Sequence, residues 1–126
     1  MISLPLAAAA VLTVLVGVVH SWLGEIRLIS PLIDGPNRAP LLEHSHFARK
    51  LVRFAWHITT LAWLGIAAIL AILATGPLDG KDRIILIAIA TTFIISGLIS
   101  FIISRGRHVG WPLFLAISAA TLTPLF

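Results

Sequence analysis

The sequence predicts an all-α fold: an integral membrane four-helix bundle that runs up-down-up-down, with an additional amphipathic helix in the long first loop. Three observations predict it. Only 11% of the residues are charged and the mean hydropathy is +1.05, so there are too few charges to cover a water-facing surface. The apolar residues form four long blocks, and the later connections are short. Because lipid offers the backbone no hydrogen bonds, such blocks favour helices.

Each apolar block is near the length of about 20 residues that crosses the ~30 Å hydrocarbon core of a bilayer. The whole chain, 1–126, is therefore interpreted as a single transmembrane domain. Its predicted spans cover about 4–24, 54–75, 83–104 and 109–126. The fourth span is the shortest, and it contains Pro112 and Pro124. The first block has no basic residues before it and exceeds the apolar core of a signal peptide, so we expect a retained helix.

The connection at 25–53 is the only one long enough for structure of its own. Pro31, Gly35 and Pro36 predict a break in its first half. From Pro40 a helical pattern predicts a helix over about 40–53 that continues into the second span. The other two connections are short, which predicts antiparallel neighbours.

Lysine and arginine are distributed unequally between the connections. The first and third connections carry seven of them: Arg27, Arg38, Arg49, Lys50, Arg53, Arg105 and Arg107. The second has only Lys81 and Arg83. The positive-inside rule then predicts a cytoplasmic first loop and both termini outside, in a bacterial inner (plasma) membrane. The formal charge of +4 is expected to meet anionic lipid headgroups in the bilayer, not nucleic acid.

All five histidines lie at or near the end of the predicted bundle that carries the basic loops. In the first span, small residues and one histidine recur at spacings of three and four: Ala10, Thr13, Gly17, His20 and Gly24. Membrane helices approach closely on such seams, so the His20 ring is expected to face protein. A polar stripe with the same spacing enters the second span: His46, Lys50, Arg53, His57 and Thr60. This stripe predicts His57 as a second inward-facing histidine, with His44 on the opposite face of the helix.

The third span carries hydroxyl residues at intervals of four: Thr92, Ser96, Ser100 and Ser104. Such hydroxyls usually bond back to carbonyls of their own helix or pack against a neighbouring helix. A pathway lined by hydroxyls is the alternative.

The first functional hypothesis is a histidine-ligated cofactor, because ionisable groups inside membrane spans cost roughly 2.5–3.5 kcal/mol and tend to be functional. A haem would be held axially by imidazoles, with arginines on its propionates. The predicted cofactor-binding residues are His20, His57, Arg53, Arg105 and Arg107. A transition metal (Zn, Cu or Fe) would instead be held by His20, His57, His108 and Glu25. Three guanidinium groups near a bare cation are repulsive and favour the anionic cofactor. The chain has no cysteine, which excludes thiolate sites.

The second hypothesis is an amphiphilic ligand, such as a quinone or a lipid with an anionic head. The alternatives are an accessory or scaffold subunit of a membrane complex, or a homo-oligomer, and then a small transporter or channel. A cation-coupled transporter is disfavoured because all five acidic residues lie in the predicted loops. No motif identifies catalytic residues, so the sequence leaves open whether the protein is an enzyme.

Overall fold

In the computed structural model, which describes residues 1–36 and 38–126, the chain is all-α, with 84% of it helical and no strand in those ranges. The helices are α1 (Leu4–Gly24), a π-helical turn (Glu25–Ile29), α2 (Ser30–Asp34), α3 (Pro40–His44), α4 (His46–Leu73), α5 (Gly80–Ser104), α6 (Gly110–Leu122) and a final 3-10 turn (Thr123–Leu125).

Three helical segments are long and apolar enough to cross a membrane: Leu4–Asp34, His46–Leu73 and Gly80–Ser104. This is what an integral membrane protein requires. The fourth predicted span corresponds to Gly110–Leu125, a shorter apolar helix. Its α6 portion has 13 residues and is roughly 20 Å long, against ~30 Å of hydrocarbon. A fourth crossing therefore stays a prediction.

The helices lie in the lateral order α4, α1, α6, α5. Helix α1 is antiparallel to α4, since the Ser3 N–H at its start donates to the Ala74 carbonyl at the end of α4. Helix α6 is antiparallel to α5: Ser118 Oγ donates to the Ala90 carbonyl at 3.0 Å, and Arg83 near the start of α5 donates to the Leu125 carbonyl after the end of α6. Helices α4 and α5 make few contacts. The antiparallel pairs are present, while a closed up-down-up-down bundle stays a prediction.

The small-residue seam predicted on α1 packs against α4. Ala10, Thr13 and Gly17 are buried. A Cβ added at Gly17 would lie 3.4 Å from the Thr60 side chain, and Thr60 Oγ1 donates to the Gly17 carbonyl at 3.3 Å. The predicted face of α1 is therefore confirmed over this stretch, because close approach of two membrane helices selects small residues at the contact.

The first helix does not end at Gly24 as predicted but continues to Asp34. Five residues, Glu25–Ile29, form a π-helical turn shortly before Pro31. The Ser30 N–H donates to the Glu25 carbonyl, and Pro31 then occupies the first turn of α2, where its missing N–H costs little. The helical segment ends only before Gly35 and Pro36.

The predicted helix from Pro40 into the second span is interrupted at Ser45. This residue is extended, with φ −121° and ψ 103°, and its hydroxyl accepts from the Ala48 N–H as the N-cap of α4. Helix α4 is continuous from His46 past Arg53, so that part of the prediction is confirmed. His44 belongs to the separate α3 and not to the stripe-bearing helix.

Candidate functional site

The π-helical turn aims the Glu25 carboxylate at α4. Its Oε2 lies 2.9 Å from His57 Nε2, and its Oε1 accepts from Arg53 Nε at 3.0 Å and from the Ser30 hydroxyl at 2.7 Å. Arg53 also reaches Asp34, with Nη2 to Oδ2 at 3.1 Å. One carboxylate thus joins the end of the first helix to α4.

The second ring nitrogen of His57 is also engaged, because Nδ1 lies 2.5 Å from Ser21 Oγ. A proton on Nε2 would let the ring donate to the Glu25 carboxylate while Nδ1 accepts from the Ser21 hydroxyl. Both nitrogens are then used, and neither is left to ligate iron or another metal. We name the set Ser21, Glu25, Ser30, Asp34, Arg53 and His57 the polar network.

His20 lies outside the polar network and between two tryptophans of α4. Its ring stacks on Trp56 with centroids 4.3 Å apart and an interplanar angle of 10°. It meets Trp63 edge-on at 5.0 Å. Trp56 Nε1 also donates to the His20 carbonyl at 3.3 Å. The Nε2 atom of His20 is buried and has no hydrogen-bond partner in the described part of the chain.

Gly24 makes this arrangement possible. A Cβ added there would overlap the Trp56 indole, so the absence of a side chain at the end of α1 lets the indole lie against the helix. The predicted seam on α1 therefore extends to Gly24. Its partner there is the aromatic side chain of Trp56.

A cavity of about 510 Å³ lies between α1, α4 and α6. Most of its lining is aliphatic or aromatic: Leu12, Leu15, Val16, Val19, Leu23, Leu28, Trp56, Trp63, Val109, Leu113 and Phe114. The ionisable side chains in the lining are His20, Arg27 and His108. The volume falls within the range that holds one small-molecule ligand, roughly 300–1,000 Å³.

Arg27 is the residue of this site that sequence reasoning missed. Its position in the π-helical turn puts it on the cavity side, two residues after Glu25, and residues two apart on a helix do not face each other. Arg27 is exposed and makes no ion pair within the described residues. Its spacing from His20 and Gly24, seven and three residues, would have placed it on the seam face had the helix been continued past Gly24.

His108 precedes α6 and also lines the cavity. Its Nδ1 accepts from the Gly110 N–H at 3.0 Å and lies 3.4 Å from Ser100 Oγ. Arg105 and Arg107, in the same turn, are exposed and do not line the cavity. The turn includes left-handed backbone at Arg105 and Gly106, with φ 51° and 76°.

The predicted site residues therefore fall into three groups. His57, Arg53 and Glu25 meet in the polar network, and His20 and His108 line the cavity. Arg105 and Arg107 lie apart from both. In the described residues no three His, Asp or Glu side chains form a group that could hold a metal ion, so the predicted four-residue metal set is not assembled. Haem ligation by His20 together with His57 does not fit either, because both nitrogens of His57 are hydrogen-bonded.

Two of the hydroxyls of α5 bond within their own helix. Thr92 donates to the Ala88 carbonyl at 2.9 Å and Ser104 to the Ser100 carbonyl at 2.6 Å. These bonds favour the interpretation in which the hydroxyls bond to carbonyls of their own helix over the one in which they line a pathway.

Comparisons of the chain with protein-family models, with curated proteins and with solved structures found no match.

Proposed function

We propose that the protein binds an amphiphilic molecule of the quinone or lipid class in the cavity between α1, α4 and α6. The observation that carries the proposal is the composition of the lining: an apolar wall that runs along α1, with His20, Arg27 and His108 as its ionisable members. Apolar pockets with a few polar groups are the usual form of ligand sites.

The apolar wall suits a hydrocarbon tail. Along α1 and the π-helical turn it extends from Leu12 to Leu28, roughly 24 Å at 1.5 Å per residue, which exceeds half the ~30 Å thickness of the hydrocarbon core. The wall residues Leu15 and Val19 are also about half exposed, at 54% and 47%. Since exposed apolar side chains on membrane helices face acyl chains, the cavity opens laterally toward the bilayer.

A histidine-ligated cofactor is the weaker interpretation, because His57 offers no unoccupied ring nitrogen. The absorption spectrum of the purified protein tests it directly. We expect no Soret band. A Soret band that disappears in His20→Ala would establish haem and replace the amphiphile proposal.

Tryptophan quenching tests the amphiphile proposal, because Trp56 and Trp63 line the cavity whereas Trp22 and Trp111 do not. A background with Trp22→Phe and Trp111→Phe leaves only the two cavity indoles. Amphiphiles brominated along the chain are then titrated into the protein in detergent. We expect saturable quenching that an unbrominated competitor reverses.

Two neighbouring valines provide the matched control. Val19 lines the cavity and Val18 does not, although both are about half exposed, at 47% and 53%. Val19→Phe should fill part of the cavity and weaken the saturable quenching, while Val18→Phe should leave it unchanged. Quenching that never saturates, or that both variants leave unchanged, would show only contact with surrounding detergent or lipid and would overturn the proposal.

A further inference from the structure

We infer that the cavity selects an amphiphile with an anionic head, a carboxylate or a phosphate, and that Arg27 binds this head together with His108. The inference rests on the proposed function, whose site it specifies further. It places the head at the Gly24 end of α1, where Arg27 and His108 line the cavity, and the tail along the apolar wall toward Leu12.

The first argument is charge. The chain has five acidic residues, and none of them pairs with Arg27. Glu25 and Asp34 are bound by Arg53. Asp79 and Asp82 cap α5 at the other end of the molecule, and Glu43 is exposed in α3. Arg27 thus brings to the cavity a positive charge that forms no ion pair with any acidic side chain of this protein.

The second argument is hydrogen bonding. Because His108 Nδ1 accepts from the Gly110 N–H, the proton of the neutral imidazole is on Nε2, which is then a donor. Arg27 offers only donors, in a planar fork that matches a carboxylate or a phosphate. Two donor groups in the lining favour a head that accepts hydrogen bonds, and the guanidinium favours a charged one.

The third argument is the geometry of the π-helical turn. It places Glu25 on the α4 side, where His57 and Arg53 hold the carboxylate, and Arg27 on the cavity side. The Glu25 carboxylate therefore does not pair with the Arg27 guanidinium. An anionic head can come from two sources, a single-chain acid or a two-chain anionic lipid, which share this chemistry.

The test uses the two-tryptophan background described above and pairs of brominated amphiphiles that differ only in the head. A fatty acid is compared with the fatty alcohol of the same chain, and phosphatidylglycerol with phosphatidylcholine. We expect the acid to bind about 10-fold more tightly than the alcohol, the effect of one hydrogen bond to a charged group. Arg27→Gln should remove this preference by lowering the affinity for the acid to that for the alcohol, whereas Arg107→Gln, at an exposed arginine outside the cavity, should preserve it.

Competition between the fatty acid and the two phospholipids separates the two sources of the anionic head. Displacement of the acid by phosphatidylglycerol, but not by phosphatidylcholine, supports a lipid headgroup. Binding of the acid without displacement by either lipid supports a free single-chain acid.

Failure of the proposed function and failure of the anionic-head inference give different results. If neither acid nor alcohol quenches saturably, the proposed function is wrong. If both bind saturably with equal affinity, or a quinone displaces them as well as the acid does, the cavity binds amphiphiles but the anionic-head inference is wrong. If Arg27→Gln binds the acid as the parent does, the assignment of Arg27 is wrong. Alcohol binding in that variant shows that its cavity is intact.

Discussion

The two sides of the π-helical turn differ in how their polar groups are satisfied. On the α4 side, each side chain of the polar network has a hydrogen-bond partner, and several bonds join residues about 30 positions apart, such as Glu25 and His57. On the cavity side, Arg27 makes no ion pair and His20 Nε2 has no partner within the described residues. A saturated network holds helices together. Polar groups without partners beside a cavity indicate where a bound molecule could supply the missing hydrogen bond or opposite charge.

The largest expected loss of stability comes from the close packing of Gly24 against the Trp56 indole. Gly24→Ala places a Cβ into the Trp56 indole, which is stacked and hydrogen-bonded and cannot move freely. We expect a loss of about 3 kcal/mol in the free energy of unfolding, the upper part of the overpacking range. Denaturant titration in detergent measures it.

Gly65→Ala is the control for this substitution, because no atom lies within 4 Å of a Cβ added at Gly65. An alanine there should leave stability equal or slightly raised, since alanine is the better helix former. Equal destabilisation by both alanines would show that the indole does not pack on Gly24 as described.

The second expected effect concerns the saturated side. Glu25→Ala leaves Arg53 and His57 without their shared acceptor. We expect a loss of about 2 kcal/mol, within the range for hydrogen bonds to charged groups, measured as a lower Tm and a smaller free energy of unfolding. Glu43→Ala, at an exposed glutamate of α3, should have no such effect. If the two variants were equally stable, the polar network would not join the first helix to α4.

The sequence predicted the parts of this comparison that depend on periodicity. The seam through Ala10, Thr13 and Gly17 follows from the 3.6-residue repeat, and so does the inward position of His57. Burial of one face of each helix imposes this repeat on the residues, so it can be recognised without coordinates. The three long apolar segments follow equally directly from the length needed to cross a bilayer.

The sequence did not predict the features that depend on helix ends. Pro31 is compatible both with a break and with the first turn of a new helix, and only the π-helical turn decides between them. Ending the helix at Gly24 removed Arg27 from the predicted site. A serine N-cap at Ser45 likewise looked like an ordinary position of a continuous helix. The seven-residue spacing of Trp56 and Trp63 places them on one face of a helix, but the spacing alone does not show that the His20 ring lies between them.

A smaller effect is expected from the Thr60 hydroxyl, which joins α4 to α1 outside the polar network. Thr60→Val removes the bond from Oγ1 to the Gly17 carbonyl. Bonds of this kind between membrane helices contribute about 0.6 kcal/mol, so we expect a loss of that size. Thr59→Val is the matched control, because Thr59 is exposed and its hydroxyl bonds only within α4, to Ala55. A larger loss for Thr59 than for Thr60 would contradict the assignment of the seam.

The smallest expected effect on stability is on the cavity side, and it distinguishes the two sides most sharply. Arg27→Gln removes a charge that has no partner, so the free energy of unfolding should change by less than about 0.5 kcal/mol, as for surface substitutions. Addition of the single-chain acid should then separate the variant from the parent. At 100 times its dissociation constant, a ligand that binds only the folded state stabilises it by about 2.7 kcal/mol, and we expect this gain in the parent and little of it in Arg27→Gln. A variant that is already destabilised by more than about 1 kcal/mol without ligand would show that Arg27 has a structural partner, and the cavity side would then be satisfied by the protein itself.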